Sequence, residues 1–159
     1  MNIEIVRLNQ YPGNKSIIYS IIIDDHDETL FEQFVEENIE TNLEELQSID
    51  NRLRVMNEVT GAREQYFKIN EGKLGDGVAA IYDLPSKKLR LYCLRFGTTT
   101  IILGGGGLKR TRTYQEDKKL HTNVKILSDL SKRITTALKE KDIKLEEDGS
   151  ISGTLKLEE

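Results

Sequence analysis

The sequence predicts an α+β fold in which a helical hairpin precedes an antiparallel sheet and a further helix follows the sheet. Apolar residues recur at helical spacing over residues 30–56 and again over 120–138, and short β-like runs fill the segment between them. The length of 159 residues suits one domain with a sizeable core, and the 37% of hydrophobic residues is typical of a globular chain. We therefore treat residues 1–159 as a single domain.

The chain opens with a predicted β-hairpin, which we assign to residues 1–28 as an N-terminal extension. Residues 1–8 and 16–23 have the alternating or β-branched character of strands. Pro12, Gly13 and Asn14 stand between them as a turn signal.

Two amphipathic helices follow and begin the core, which we assign to residues 29–141. Thr29 with Glu32, and Thr41 with Glu44, have the spacing of capping boxes, which satisfy free amides in a first helical turn. The apolar positions are Leu30, Phe31, Phe34, Val35 and Ile39 in the first helix and Leu43, Leu46, Ile49, Leu53 and Met56 in the second. The second helix is predicted to end near Gly61.

Three strands of a meander are predicted over residues 78–82, 89–96 and 99–103. Alternation places Leu89, Leu91 and Cys93 on one face of the middle strand and Arg90, Tyr92 and Leu94 on the other. We expect one of these faces to be core and the other a working surface.

The rest of the chain predicts a helix and a second hairpin. The helical pattern runs through Leu120, Val124, Leu127, Leu130, Ile134 and Leu138. Asp148-Gly149 then indicates a turn within a C-terminal hairpin extension, residues 142–159, with Ile151, Leu155 and Leu157 on one side.

Charge is distributed unevenly along the chain, whose net charge is -4. Residues 1–60 hold four basic and thirteen acidic side chains, whereas residues 61–120 hold twelve basic and six acidic ones. A positive segment inside an acidic chain indicates an anionic partner for that segment. No apolar run reaches the length of a membrane span, the N-terminus lacks a signal-peptide pattern, and there is one cysteine. We expect a cytoplasmic protein that does not bind a membrane.

Several familiar sites are disfavoured by spacing. The glycines at 104–107 lack the Gly-Lys pair and Ser or Thr of a phosphate-binding loop. We expect them either to end a strand at positive φ or to let RNA or a neighbouring backbone approach closely. His26 and His121 are far apart, so no metal or other cofactor is predicted. Cys93 in an apolar strand is expected to be buried and unreactive.

The densest group of cations and aromatics is Lys109-Arg110-Thr111-Arg112-Thr113-Tyr114. Guanidinium groups bind phosphate through paired donors, and a tyrosine ring stacks on a base or exchanges a proton through its hydroxyl. The residues we predict to bind RNA are Lys88, Arg95, Lys109, Lys118 and Lys119. The alternative is an ordinary solvated loop, or one that the acidic N-terminal helices cover within the same chain.

Residues 66–133 resemble the phage-derived, HigB-like branch of the RelE/ParE toxin superfamily. The resemblance is carried by Leu74-Gly75-Asp76-Gly77, the strand from Leu89 with Arg90, the turn at Gly97, the apolar strand that ends in glycine, and Leu108-Lys109-Arg110. It implies a compact RelE-like fold with helices packed on a twisted antiparallel sheet.

The resemblance also implies a function and its residues. Members of the superfamily cleave mRNA, often on the translating ribosome, and a partner antitoxin holds them in check. Arg90 falls near the strand arginine of the family, Arg110 or Arg112 near the arginine after the last strand, and Tyr114 near the downstream tyrosine. These four are our predicted catalytic residues, for an mRNA interferase that acts without metal.

A second function from another class is compatible with the same sequence. In that reading the chain is a non-enzymatic module with a toxin fold, whose basic face binds an acidic partner such as an antitoxin or a gyrase-like protein. A small helix-turn-helix protein encoded by the neighbouring gene is the antitoxin that the resemblance favours.

Overall fold

The computed structural model describes residues 1–69, 71–72, 76–81, 88–109 and 117–158. Its helices and strands in chain order are β1 (Ile3–Arg7), β2 (Ile17–Ile23), α1 (Leu30–Asn38), α2 (Leu43–Val55), β3 (Phe67–Lys68), β4 (Val78–Ile81), β5 (Leu89–Phe96), β6 (Thr100–Leu108), α3 (Lys118–Lys139), β7 (Ile143–Leu145), β8 (Ile151–Gly153) and β9 (Lys156–Leu157). A π-helical turn, Met56–Thr60, continues α2 up to Gly61, close to the predicted end.

Seven of these strands form one sheet in the order β3-β4-β5-β6-β2-β1-β9, and β7 and β8 form a separate hairpin. Helices α1 and α2 cover one face of the large sheet, and α3 covers the other. The α+β class and the predicted order of helical hairpin, meander and helix are confirmed.

Both faces of the middle strand β5 are core. Leu89, Leu91 and Cys93 pack beneath α1 and α2, and Tyr92 and Leu94 pack beneath α3. The predicted alternation is therefore confirmed, but the expectation that one face is an open working surface is wrong. Cys93 is fully buried, and burial raises the pKa of its thiol well above the usual range.

The N-terminal hairpin forms as predicted, but it lies inside the sheet. Strand β2 pairs in parallel with β6, with Ile17 opposite Thr100 and Ser20 opposite Leu103. Every other pair in the sheet is antiparallel among the described residues, so the prediction of a purely antiparallel sheet is wrong at this one pair. The parallel pair arises because the chain crosses from β2 over α1 and α2 before it returns through the meander.

The two predicted capping boxes have different outcomes. Thr29 caps α1: its hydroxyl accepts from the N–H of Glu32, and the Glu32 side chain accepts from the Thr29 N–H. The prediction of a capping box at Thr41 is wrong, because α2 begins after Asn42 and no side chain caps its N-terminus. Asn42 instead donates from its amide to the side-chain oxygen of Asn38 at 2.8 Å.

The C-terminal segment splits between two sheets. The predicted hairpin is present as β7 and β8, and its turn at Gly149 accepts a hydrogen bond from the Thr100 hydroxyl at 2.6 Å. The last strand, β9, leaves the hairpin and pairs with β1 at the edge of the large sheet. Over the described ranges, no helix combines the length and the apolar character that crossing a bilayer requires.

Candidate functional site

The glycine run lies within β6, which continues through it to Leu108. None of the four glycines has a positive φ, so the expectation that they end the strand in that conformation is wrong. The alternative, a close approach of neighbouring backbone, is confirmed at Gly106, where an added Cβ would overlap the carbonyl oxygen of Arg90.

The first two glycines let α3 lie directly on β6. The pairing of β5 with β6 shifts by one residue, so that Gly104 and Gly105 together face Tyr92 in a β-bulge. A Cβ on Gly105 would lie 2.5 Å from the side-chain oxygen of Asn123, and one on Gly104 would lie 3.0 Å from Leu127. The small residues therefore bring the first turns of α3 close to the end of β6.

Gly106→Ala is expected to destabilise the protein, whereas Gly107→Ala is expected to leave its stability nearly unchanged. A methyl group at 106 must displace the backbone at Arg90, which costs about 3 kcal/mol and lowers Tm by roughly 6 to 12 °C. A methyl group at 107 would meet flexible Lys119 at 3.6 Å, an ordinary contact. Thermal unfolding followed by circular dichroism measures both, and equal Tm values for the two variants would contradict the close approach.

Three basic side chains lie near the end of β6, on the α3 side of the sheet: Lys68 of β3, Arg90 of β5, and Lys109, whose charge both of the others influence. Lys109 extends the ladder by one residue, since its N–H donates to the carbonyl oxygen of Lys88 at 2.8 Å. The residues next to Lys68 and Arg90 in their strands belong to the core beneath α1 and α2, so these two side chains face α3. Sheet pairing therefore joins cations that lie far apart in the sequence.

The charges in this group are only partly compensated. Burial, the ammonium group of Lys68 and, to a smaller extent, Arg90 hold the pKa of Lys109 below its usual range. Glu71, which is buried, opposes that shift, and its carboxylate lies 4.0 Å from the Lys68 ammonium. We call Lys68, Glu71, Arg90 and Lys109 the cationic cluster.

The cluster is suited to bind an anion. With all four groups ionised it has two more positive than negative charges, and like charges held close together repel each other strongly where water is partly excluded. A phosphate or similar oxyanion placed among the cations would relieve this repulsion and accept several charge-assisted hydrogen bonds. It would also favour the charged form of Lys109.

Two of the predicted site residues, Arg90 and Lys109, belong to the cationic cluster. Lys119 lies beside Gly107, the residue that pairs with Arg90, and its ammonium forms an ion pair with Glu37 of α1 at 2.6 Å. Lys118 is the exposed first residue of α3. Arg110, Arg112 and Tyr114 lie outside the described residues, as do Leu74 and Gly75 of the Leu74–Gly77 motif.

Of the other two predicted RNA-binding residues, Arg95 lies away from the cluster, whereas Lys88 borders it, because its carbonyl oxygen accepts from the Lys109 N–H. Arg95 is at the other end of β5, where it donates to the carbonyl oxygen of Ala62 at 2.9 Å and stacks over Phe67. Its contacts are structural, because they join β5 to the loop that follows α2. Lys88 lies against the start of α2, and its N–H donates to the carboxylate of Glu45 at 2.9 Å.

The acidic helices α1 and α2 lie on the opposite face of the sheet from the side chains of Lys68 and Arg90. The acidic helices reach the basic region at its rim, where Glu37 pairs with Lys119 and Glu45 accepts from the Lys88 N–H. Apart from Lys109, the basic loop that they were predicted to cover lies outside the described residues. Lys68 and Glu71 were missed as site residues. Nothing in their local sequence marks them, since they join the cluster only through the pairing of β3 with β4.

The fold and the cluster together define a three-layer α+β protein with a cationic cluster at one end of its sheet. No protein-family model matches the chain, and no curated protein or solved structure is significantly similar to it. Among the described residues, no three acidic, histidine or cysteine side chains are grouped as metal ligands.

Proposed function

We propose that this protein is the toxin of a type II toxin-antitoxin pair and that it cleaves mRNA, free or on the ribosome, in the cytoplasm. The observation that supports the proposal is the cationic cluster, in which Lys68 and Lys109 both lie near the buried Glu71 and Arg90 lies near Lys109. A RelE-like arrangement is part of the proposal. A strand, two helices, a three-stranded meander and a helix occur in that order in β2, α1, α2, β4–β6 and α3.

The cluster fits the chemistry of RNA cleavage through the 2′-hydroxyl. The 2′-oxygen forms a bond to phosphorus while the bond from phosphorus to the 5′-oxygen breaks, which leaves a 2′,3′-cyclic phosphate and a 5′-hydroxyl. Arg90 and Lys68 would stabilise the charge that gathers on the phosphate oxygens. The 2′-proton passes to a base and a second proton reaches the leaving oxygen, so the step needs no oxidant and no cofactor.

Candidates for the proton transfers come from the structure and from the resemblance to the toxin superfamily. The lowered pKa of Lys109 makes its ammonium group a stronger acid, so in this proposal it donates the second proton to the leaving 5′-oxygen. The resemblance assigns Tyr114 a proton-transfer role and Arg110 and Arg112 a phosphate-binding role. We retain all three in the proposed site.

Cleavage is expected to depend on the 2′-hydroxyl at the cut position. We would incubate the purified protein with a labelled RNA oligonucleotide, and with the same oligonucleotide carrying 2′-deoxyribose at the mapped cut site, in the presence of a chelator. The RNA should be cut to a cyclic-phosphate product, and the substituted strand should stay intact at that site. Cutting of both oligonucleotides at this site would refute the mechanism. Intact RNA in this assay and on programmed ribosomes would refute the nuclease activity.

A binding function is the second candidate, and a groove between α1 and α2 favours it. The groove has a volume of about 260 Å³ and is lined mainly by apolar side chains, including Phe31 and Val35. Ile39 and Leu43 at its mouth are nearly half exposed, and both helices are rich in glutamate. A basic amphipathic helix of an antitoxin would complement this surface. Intact RNA, together with antitoxin binding that Leu43→Asp abolishes, would favour this function.

A further inference from the structure

A second groove runs along α3 next to the cationic cluster. It has a volume of about 460 Å³ and lies between α3 and Gly72. Its lining residues are Gly72, His121, Val124, Lys125, Ser128, Asp129 and Lys132. Because Gly72 directly follows Glu71, the groove begins beside the cluster.

Basic side chains recur along the side of α3 that borders this groove. Lys118, Lys125 and Lys132 are seven residues apart, so they project from nearly the same side of the helix. The distance along the axis from the first to the third is about 21 Å at the rise of an α-helix. All three are exposed, and His121 lies between the first two. We call Lys118, His121, Lys125 and Lys132 the lysine stripe.

The acidic groups beside the groove are already engaged. Asp76 accepts a hydrogen bond from the Ser128 hydroxyl at 2.8 Å. Asp129 forms an ion pair with Arg133 at 3.0 Å. The Ser128 hydroxyl leaves the negative charge of Asp76 in place, whereas Arg133 balances the charge of Asp129. With Lys118, Lys125 and Lys132 beside it, the groove still has more positive than negative charge.

We propose that this groove binds single-stranded RNA that continues from the cationic cluster along α3, with the lysine stripe contacting phosphates along the strand. The inference rests on the proposed function, because it extends the binding site of that same substrate. Regularly spaced charges at the rim of an open groove suit a flexible polyanion. A lipid surface is disfavoured, because the large apolar residues of α3 pack into the core and offer no apolar face to a bilayer.

The test measures how binding depends on the length of the RNA. The probes are fluorescein-labelled oligouridylates of increasing length with 2′-O-methyl groups, which bind without being cut, and the readout is fluorescence anisotropy. The test variant is Lys125→Ala/Lys132→Ala. The control is Lys15→Ala/Lys144→Ala, which removes the same charge from exposed lysines outside the groove.

We expect the wild type and the control to bind longer probes more tightly than short ones, because longer strands reach the stripe. The test variant should bind the shortest probe normally and the longest about three- to tenfold more weakly. Its plot of log affinity against log salt concentration should be shallower by roughly 1.4, since each lost phosphate contact on a single strand accounts for about 0.7.

Different results would overturn the lysine stripe and the proposed nuclease function. Equal length dependence in the wild type and the test variant would overturn the lysine stripe while leaving the cationic cluster and its function in place. An equal loss in the control and the test variant would also overturn it, because it would show a general effect of net charge. Failure of the wild type to bind any probe would overturn the proposed function and this inference with it.

Discussion

A chain that starts at residue 29 is expected not to fold, although the sequence alone marks residues 1–28 as an extension. Its loss removes β1 and β2, which lie between β6 and β9 in the sheet. Ile18 and Ile21 of β2 are fully buried and belong to the hydrophobic cores on opposite faces of the sheet. Deletion of β2 therefore removes side chains from both cores. Each lost isoleucine alone is worth about 2 to 5 kcal/mol, so the two together approach the stability of an ordinary domain, about 5 to 15 kcal/mol. The other buried side chains of β1 and β2, Ile3, Ile5, Ile17 and Tyr19, are lost in addition.

The hydrogen bonds of β2 also predict that the chain cannot fold without it. The Ser20 hydroxyl donates to the carbonyl oxygen of Leu103 and accepts from the N–H of Phe31, so it joins β2, β6 and the start of α1. Without β2, the inner edge of β6 would present unpaired peptide groups in a buried setting, which is unfavourable.

A chain that ends at residue 154 is the matched control, because it loses only the edge strand β9 and its flanks. It should unfold cooperatively, with a loss of about 1 to 2 kcal/mol for the few hydrogen bonds to β1. Circular dichroism melts and amide NMR spectra would compare the two chains. Cooperative unfolding of the chain that starts at residue 29 would contradict the central position of β2.

Loss of the cationic cluster is expected to produce the largest effect on activity. We expect Arg90→Ala and Lys109→Ala each to lower kcat/KM for RNA cleavage about a hundredfold, which corresponds to about 2.7 kcal/mol of transition-state stabilisation. Each change removes a cation from beside the developing charge on the phosphate. The assay is the initial rate on a labelled oligonucleotide at low substrate concentration.

Stability measurements separate this effect from unfolding. Burial and the neighbouring Lys68 already disfavour the charged form of Lys109, so its removal should leave Tm unchanged or slightly higher. The control Lys15→Ala/Lys144→Ala should keep full activity. A Lys109→Ala protein with a normal Tm and normal cleavage would remove Lys109 from the site.

Local patterns predicted much of the fold because the interactions they reflect are local. The capping box at Thr29, the helical spacing through α3 and the alternation along β5 each depend on residues a few positions apart. The second capping box shows the limit of such arguments. Thr41 has the correct spacing, yet α2 begins after Asn42, whose side chain bonds to Asn38 instead of capping the helix.

The candidate site was predictable only in part, because its members come from separate strands. Arg90 and Lys109 stand out as cations near a glycine run, and the structure brings them together. Lys68 and Glu71 carry no local signal, since the pairing of β3 with β4 is what brings them beside Lys109. Arg95 shows the reverse case, because it belongs to the same basic segment but lies at the far end of β5.

The sequence by itself determined the order of the main helices and strands and the concentration of positive charge between residues 61 and 120. Only the tertiary structure decided that β2 enters the sheet beside β6, that both faces of β5 are buried, that Gly106 is pressed against Arg90, and which cations lie near Lys109. The physical reason is that spacing and propensity act over a few residues, whereas strand pairing and charge contacts depend on long-range packing that a local pattern does not specify.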